Sequence, residues 1–161
     1  MDNLNYNMIN KFVYYSELVG NTNTIINKNE FINLLSDDYE YINLPSFKKL
    51  KELIIDEKGI KRAIIEASYA IAETGSVVIN SKDELLRRAT SLSEELDIVV
   101  FKSKIVDRLE DMKEFMRETT QENAAYITFV TGASRTADIE LVLAMGVHGP
   151  LKVNIIIISD K

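Results

Sequence analysis

The sequence predicts an α/β domain built on a mostly parallel sheet flanked by helices, and three observations predict it. Short apolar runs alternate along the chain with amphipathic stretches of helical period. Several of those runs, "VNIIIIS" above all, are almost continuously Ile and Val, as strands covered on both faces require. Polar inserts bearing glycine interrupt the apolar runs where strands should end.

The elements follow in order. Leu4, Met8, Ile9, Phe12, Val13 and Val19 recur at helical spacing over residues 4–19, and "VGN" ends that helix. "NTIIN" reads as a strand, "NEFINLLSD" as a helix capped by Asn29, and "YEYIN" as a second strand. Pro45 is expected to open a helix whose buried stripe is Phe47, Leu50, Leu53 and Ile54, closed by "DEKG". "IKRAIIEASYAIA" fits helix or strand. Its end, about 68–72, is assigned to strand because the turn "ETGS" and the strand "VVIN" follow. "SKDELLRRATSL" is a helix with Ser81 as cap, and "LDIVVF" a buried strand. Ile105, Leu109, Met112 and Met116 share one face of a helix predicted over 103–118. "AYITFV" is a strand, "RTADIELVLAMG" a helix, and "VNIIIIS" the last strand. With no repeat or linker, residues 1–161 read as a single domain, and 1–20 as a peripheral N-terminal helix.

Composition bounds the function. The chain has 161 residues, 46% of them hydrophobic and 27% charged, as in ordinary globular proteins. A net charge of −6 argues against nucleic acid or an anionic membrane as a general partner. There is no cysteine, so thiolate zinc, iron–sulfur ligation and a Cys nucleophile are excluded on this chain, and no cofactor is held through Cys. The single histidine, His148, excludes a His-rich metal cluster. "MDNLNYNMINKF" has neither the basic region nor the apolar run of a signal peptide, so a soluble, cytoplasmic protein is expected.

Three polar stretches carry the chemistry. "TGASRTADIE" lies between a strand and an expected helix start, where free backbone N–H groups and the positive dipole end favour an anion. Gly132 permits a tight turn, and Arg135 could close on a carboxylate or phosphate with a bidentate fork. Ser134, Thr136 and Asp138 read first as capping residues, with no ligand involved. Arg135 fits capping less well, because a cation in the first helical turn opposes the dipole. In "AIAETGSVVI", Glu73, Thr74 and Gly75 form either a plain hairpin turn or a turn that presents Glu73 as base, nucleophile or ligand-binding acid. "GVHGP" places His148 and Gly149 in a constrained turn before the last strand.

Taken together and in this order, "AIAETGSVVI", "TGASRTADIE" and "GVHGP" closely resemble the motifs of the LUD (lactate-utilisation domain) family, which includes LutC-type proteins. The resemblance covers about 60–161. It implies a fold like the NagB/RpiA/CoA-transferase group. It also implies a setting in the oxidation of lactate to pyruvate, beside partner subunits that bear iron–sulfur clusters. Carried across by motif, the implied site comprises Glu73, Thr74 and Gly75; Gly132, Ser134, Arg135, Thr136 and Asp138; and His148 with Gly149. Ser76 stands where the family pattern has Thr, and Ala133 where it has Pro.

Two functions follow; a third, a purely structural interaction protein, leaves Arg135 and the glycine turns without a role. One is a binding or accessory subunit for a small anionic metabolite, an organic acid or a phosphorylated compound. The other is a stand-alone enzyme of the CoA-transferase or sugar-phosphate isomerase group. There Glu73 would be the nucleophile or base and His148 a proton donor. Whether the chain is catalytic, and whether it forms a homo-oligomer, is left open.

Overall fold

The computed structural model describes residues 2–52, 59–121, 126–133, 135–137, 143–145 and 149–159. The chain opens with α1 (Asp2–Leu18), β1 (Thr22–Asn27), α2 (Lys28–Leu34), β2 (Tyr41–Leu44) and β3 (Lys49–Lys51). It continues through β4 (Ile60–Glu66), β5 (Tyr69–Ile71), β6 (Ser76–Asn80), α3 (Glu84–Leu92) and β7 (Ser93–Phe101). β8 (Ile105–Val106), α4 (Lys113–Gln121), β9 (Ile127–Val130), β10 (Arg135–Ala137), β11 (Leu143–Met145) and β12 (Lys152–Ser159) complete it.

A six-stranded sheet in the order β1-β12-β7-β4-β2-β3 forms the centre, parallel throughout except for the edge strand β3. This is the α/β architecture that the alternation predicts. A four-stranded sheet, β8-β5-β6-β9, packs beside it. The period-2 rule divides the central strands cleanly. Ile65 of β4, Leu96, Ile98 and Val100 of β7, and Ile155 and Ile157 of β12 join one core with Val77 and Ile79 of the second sheet. Ile64, Val99 and Ile158 point the other way, onto Phe31 of α2 and Tyr39. α1 adds Ile9 and the fully buried Phe12 to the first core. Each such aliphatic or aromatic side chain contributes about 1.5–3 kcal/mol by leaving water.

Four local expectations are corrected. α2 is capped by Asn27, not Asn29. The Asn27 side chain accepts from the Glu30 N–H at 2.9 Å, and the Glu30 carboxylate accepts from the Asn27 N–H at 3.0 Å, a reciprocal arrangement unavailable to Asn29. Similarly, Asp83 caps α3 through the Leu85 N–H, while Ser81 is buried against Tyr126 and Thr128. Pro45 opens only one 3-10 turn, Pro45–Phe47. Lys48 then takes a left-handed conformation (φ 53°), and β3 turns back on β2, leaving Leu50 exposed. Leu53 and Ile54 lie outside the described residues.

The helix over 103–118 begins only at Lys113, after a 3-10 turn at Leu109–Met112. Ile105 belongs to β8 and pairs with Ala70 of β5. Its burial comes from the second sheet, so its helical spacing to Met112 was coincidental. The larger departure is "RTADIELVLAMG". Arg135–Ala137 and Leu143–Met145 form an antiparallel pair, with Arg135 opposite Met145. Strand pairing engages backbone groups that a helix start would have left free for an anion.

Candidate functional site

The first motif folds as a closed turn between β5 and β6. The Ala72 N–H donates to the Val106 carbonyl (2.8 Å) and the Glu73 N–H to the Asp107 carbonyl (3.0 Å), extending the β5–β8 ladder by two residues. The Gly75 N–H then donates back to the Ile71 carbonyl at 3.0 Å, with Gly75 at φ 66°. A β-carbon on Gly75 would lie 2.3 Å from the Ser16 amide nitrogen, so the turn is seated directly on the last part of α1. Thr74 is exposed and Glu73 half-buried. One Glu73 oxygen accepts from the Leu109 N–H at 2.8 Å, which ties the turn to the start of the 3-10 segment.

The second motif begins beside the first. Ser76 Oγ and Thr131 Oγ1 are 2.9 Å apart, one hydroxyl donating to the other. The Asn21 side-chain amide donates to the Thr131 carbonyl (2.8 Å) and to Ser16 Oγ (3.1 Å). Gly132 in turn faces the Val19 carbonyl, where a β-carbon would stand 3.0 Å away. Both motif turns therefore rest on one support, residues Ser16–Asn21 at the end of α1. Ser16 and Asn21 were missed in the sequence. The only signal was a polar pair flanking a helix end, which reads as capping.

Gly132 and Gly149 line one hollow of about 200 Å³, together with Thr90 and Ser91 at the end of α3, the strand β9, Thr131 and Pro150. The second and third motifs thus meet, and Ser76–Thr131 joins the first to them. This lining is hydroxyl, backbone and apolar, with no ionised side chain among the described residues. Arg135 and Thr136 lie on β10. Ser134, Asp138 and His148 fall outside the described residues. Next to Glu73, the Asp107 carboxylate accepts from Lys11 at 2.7 Å, and that hydrogen bond holds its pKa below the ordinary carboxylate value. No cluster of three His, Asp or Glu side chains fit to hold a metal ion occurs among the described residues.

The chain is 36% identical over 98 residues to lactate utilization protein C of Geobacillus thermodenitrificans, covering 59% of this chain and 41% of that protein. It is 31% identical over 134 residues to lactate utilization protein C of Anoxybacillus flavithermus, covering 76% of this chain and 60% of that protein. The chain thus spans about half the length of these curated relatives. A crystal structure of a DUF162 family protein from Deinococcus radiodurans shares the fold. Its TM-score is 0.69 at 16% identity, over 96% of this chain and 98% of that one. The family model described as LUD domain matches residues 22–158, reaching well before the three motifs. By that match the chain belongs to the LUD domain family, and among its members it is LutC-like.

Proposed function

We propose that the chain is a binding or accessory subunit of a lactate-oxidising system. Its ligand is a small organic acid or phosphorylated metabolite held at the hollow between Gly132 and Gly149. The observation that carries this reading is the meeting of two separate motif turns at one cavity, with the first motif hydrogen-bonded to its edge. The relatives' name, lactate utilization protein C, supplies the metabolic setting. Because the hollow's described lining carries no charge, the reading assigns the anion's counter-charge to Arg135, three residues beyond Gly132. Electron transfer belongs to iron–sulfur partner subunits, since this chain has no cysteine.

Thermal unfolding with L-lactate, pyruvate or inorganic phosphate tests the reading. At one hundred times its Kd, a ligand specific to the folded state adds about 2.7 kcal/mol and raises the Tm. At least one of the three should raise the Tm of the native chain and do so much less in Arg135→Ala. If none stabilises the protein, the anion site is refuted.

A second reading makes Glu73 a nucleophile towards an acyl-CoA thioester. The carboxylate would attack the thioester carbonyl, forming a mixed anhydride and releasing the CoA thiolate. In its favour, Glu73 is held in a fixed orientation by Leu109. Mass spectrometry after acyl-CoA treatment should then show an adduct that is lost in Glu73→Gln.

A further inference from the structure

One acid interrupts the apolar centre of the main sheet. Asp97, on the central strand β7, has a side chain only 3% exposed. Its carboxylate accepts from Tyr39 Oη at 2.5 Å, Arg62 Nη2 at 2.9 Å and Asn154 Nδ2 at 2.5 Å. Thr22 Oγ1 donates to Asn154 Oδ1 in turn. The register explains the convergence. Thr22 pairs with Asn154 and Asn154 with Asp97, so three parallel strands set these side chains in a row on one face. Arg62 reaches in from β4 and lies over the Tyr39 ring at 4.3 Å. Burial first, and the hydrogen bond to Asp97 second, push the Tyr39 phenol well above its ordinary range.

Stability alone accounts poorly for this cluster. A buried ion pair is commonly no better than apolar side chains of the same volume, and the rest of the sheet is Ile, Val and Leu. The cluster also floors a cavity of about 290 Å³, whose facing wall is Phe31, Leu34 and Leu35 of and beside α2, with Ile26 and Ile156 at its sides. That volume is at the small end of ligand pockets, roughly 300 Å³ and upwards. The cavity shares no lining residue with the Gly132–Gly149 hollow.

We propose that this cavity is a second ligand site, which takes a small uncharged molecule with an apolar body and a carbonyl head. Charge balance selects a neutral ligand. Arg62 offsets Asp97, and Lys152 lies 3.8 Å from Glu95, so a further charge would enter without a counter-ion. The guanidinium selects the head. Arg62 lines the cavity with its side chain 35% exposed, and its hydrogen bonds to Asp97 and to Tyr39 Oη both leave from Nη2. A carbonyl oxygen accepts from the exposed side of the guanidinium, and the α2 wall covers the apolar body.

Benzamide, benzoate and benzylamine form a matched probe series of neutral, anionic and cationic head groups. Titrated into the full chain and followed by amide NMR, benzamide should give saturable shifts at Phe31, Leu35 and Asn154, with the charged analogues weaker. Leu34→Trp, at a position 70% exposed on the rim and so harmless to folding, should obstruct the cavity and abolish those shifts. Arg62→Lys keeps the charge but removes the guanidinium fork, and should weaken benzamide about tenfold, the worth of a hydrogen bond to a charged donor. Three results would each overturn the site: no saturable shift with benzamide, shifts centred on Gly132 and Gly149 instead, or a charged analogue binding as tightly.

Discussion

At Gly75 the backbone holds φ 66° and runs so close to α1 that a β-carbon would sit 2.3 Å from the Ser16 nitrogen and 2.6 Å from the Tyr15 carbonyl carbon. Both facts forbid a side chain, the first by conformation and the second by contact with backbone that cannot swing aside. Gly75→Ala should therefore destabilise the protein by about 2–4 kcal/mol, combining left-handed strain with overpacking. Urea unfolding would measure it, and a cost under about 0.5 kcal/mol, the ordinary surface value, would refute the contact. In the sequence this glycine was visible as a turn former. The reason it must be glycine was not, because Ser16 lies far away along the chain.

The same separation governs the element scale. α1 read as a peripheral arm, yet Phe12 is wholly buried in the main core, and Ser16 and Asn21 hold both motif turns. Lys11 adds a link from the outer part of α1 to Asp107, just past β8. The bond depresses the Asp107 carboxyl pKa in the folded state, so its stabilisation is full above the unfolded value, about 3.9. It is lost as pH falls through the folded value. Lys11→Met should accordingly lower stability at pH 7 and make little difference at pH 2.5. A deficit that is equal at both pH values would show that Lys11 acts through packing alone.

Strands were easier to read than helices here, for a physical reason. The Ile/Val runs of β7 and β12 satisfy both faces of a covered sheet, so burial agrees with local propensity, whereas β4 lies in a stretch that fitted helix or strand. Over 103–118, by contrast, one apolar set was shared between a strand, a 3-10 turn and a helix. At Arg135–Ala137 and Leu143–Met145, a helical pattern gave way to an antiparallel pair.

Across the whole molecule, the two sheets keep distinct duties. The second sheet and α1 carry the motif turns, while the far face of the main sheet carries the Asp97 cluster under α2. Asp97 joins four partners' worth of structure through Tyr39, Arg62 and Asn154, with Thr22 behind Asn154. Asp97→Ala strands these groups and should cost about 3–5 kcal/mol in denaturant unfolding. The partly exposed Arg62 keeps water on one side, which favours the lower end. A loss below about 1 kcal/mol would mean that water already satisfies the cluster. No helix among the described residues is long and apolar enough to cross a membrane.

The sequence by itself determined the α/β class, most of the strands and the family motifs, because hydrophobic period and turn chemistry act between near neighbours. Asp97 was also on view there, a lone acid inside "LDIVVF", but its partners were not. Only the tertiary structure decided that Gly132 and Gly149 share a hollow, that the end of α1 supports both turns, and that Thr22, Asn154 and Asp97 stand side by side. The last depends on the register of parallel strands joined by long crossovers, and the first two on how the second sheet and α1 pack against the main one, all of which the packing of the whole core decides.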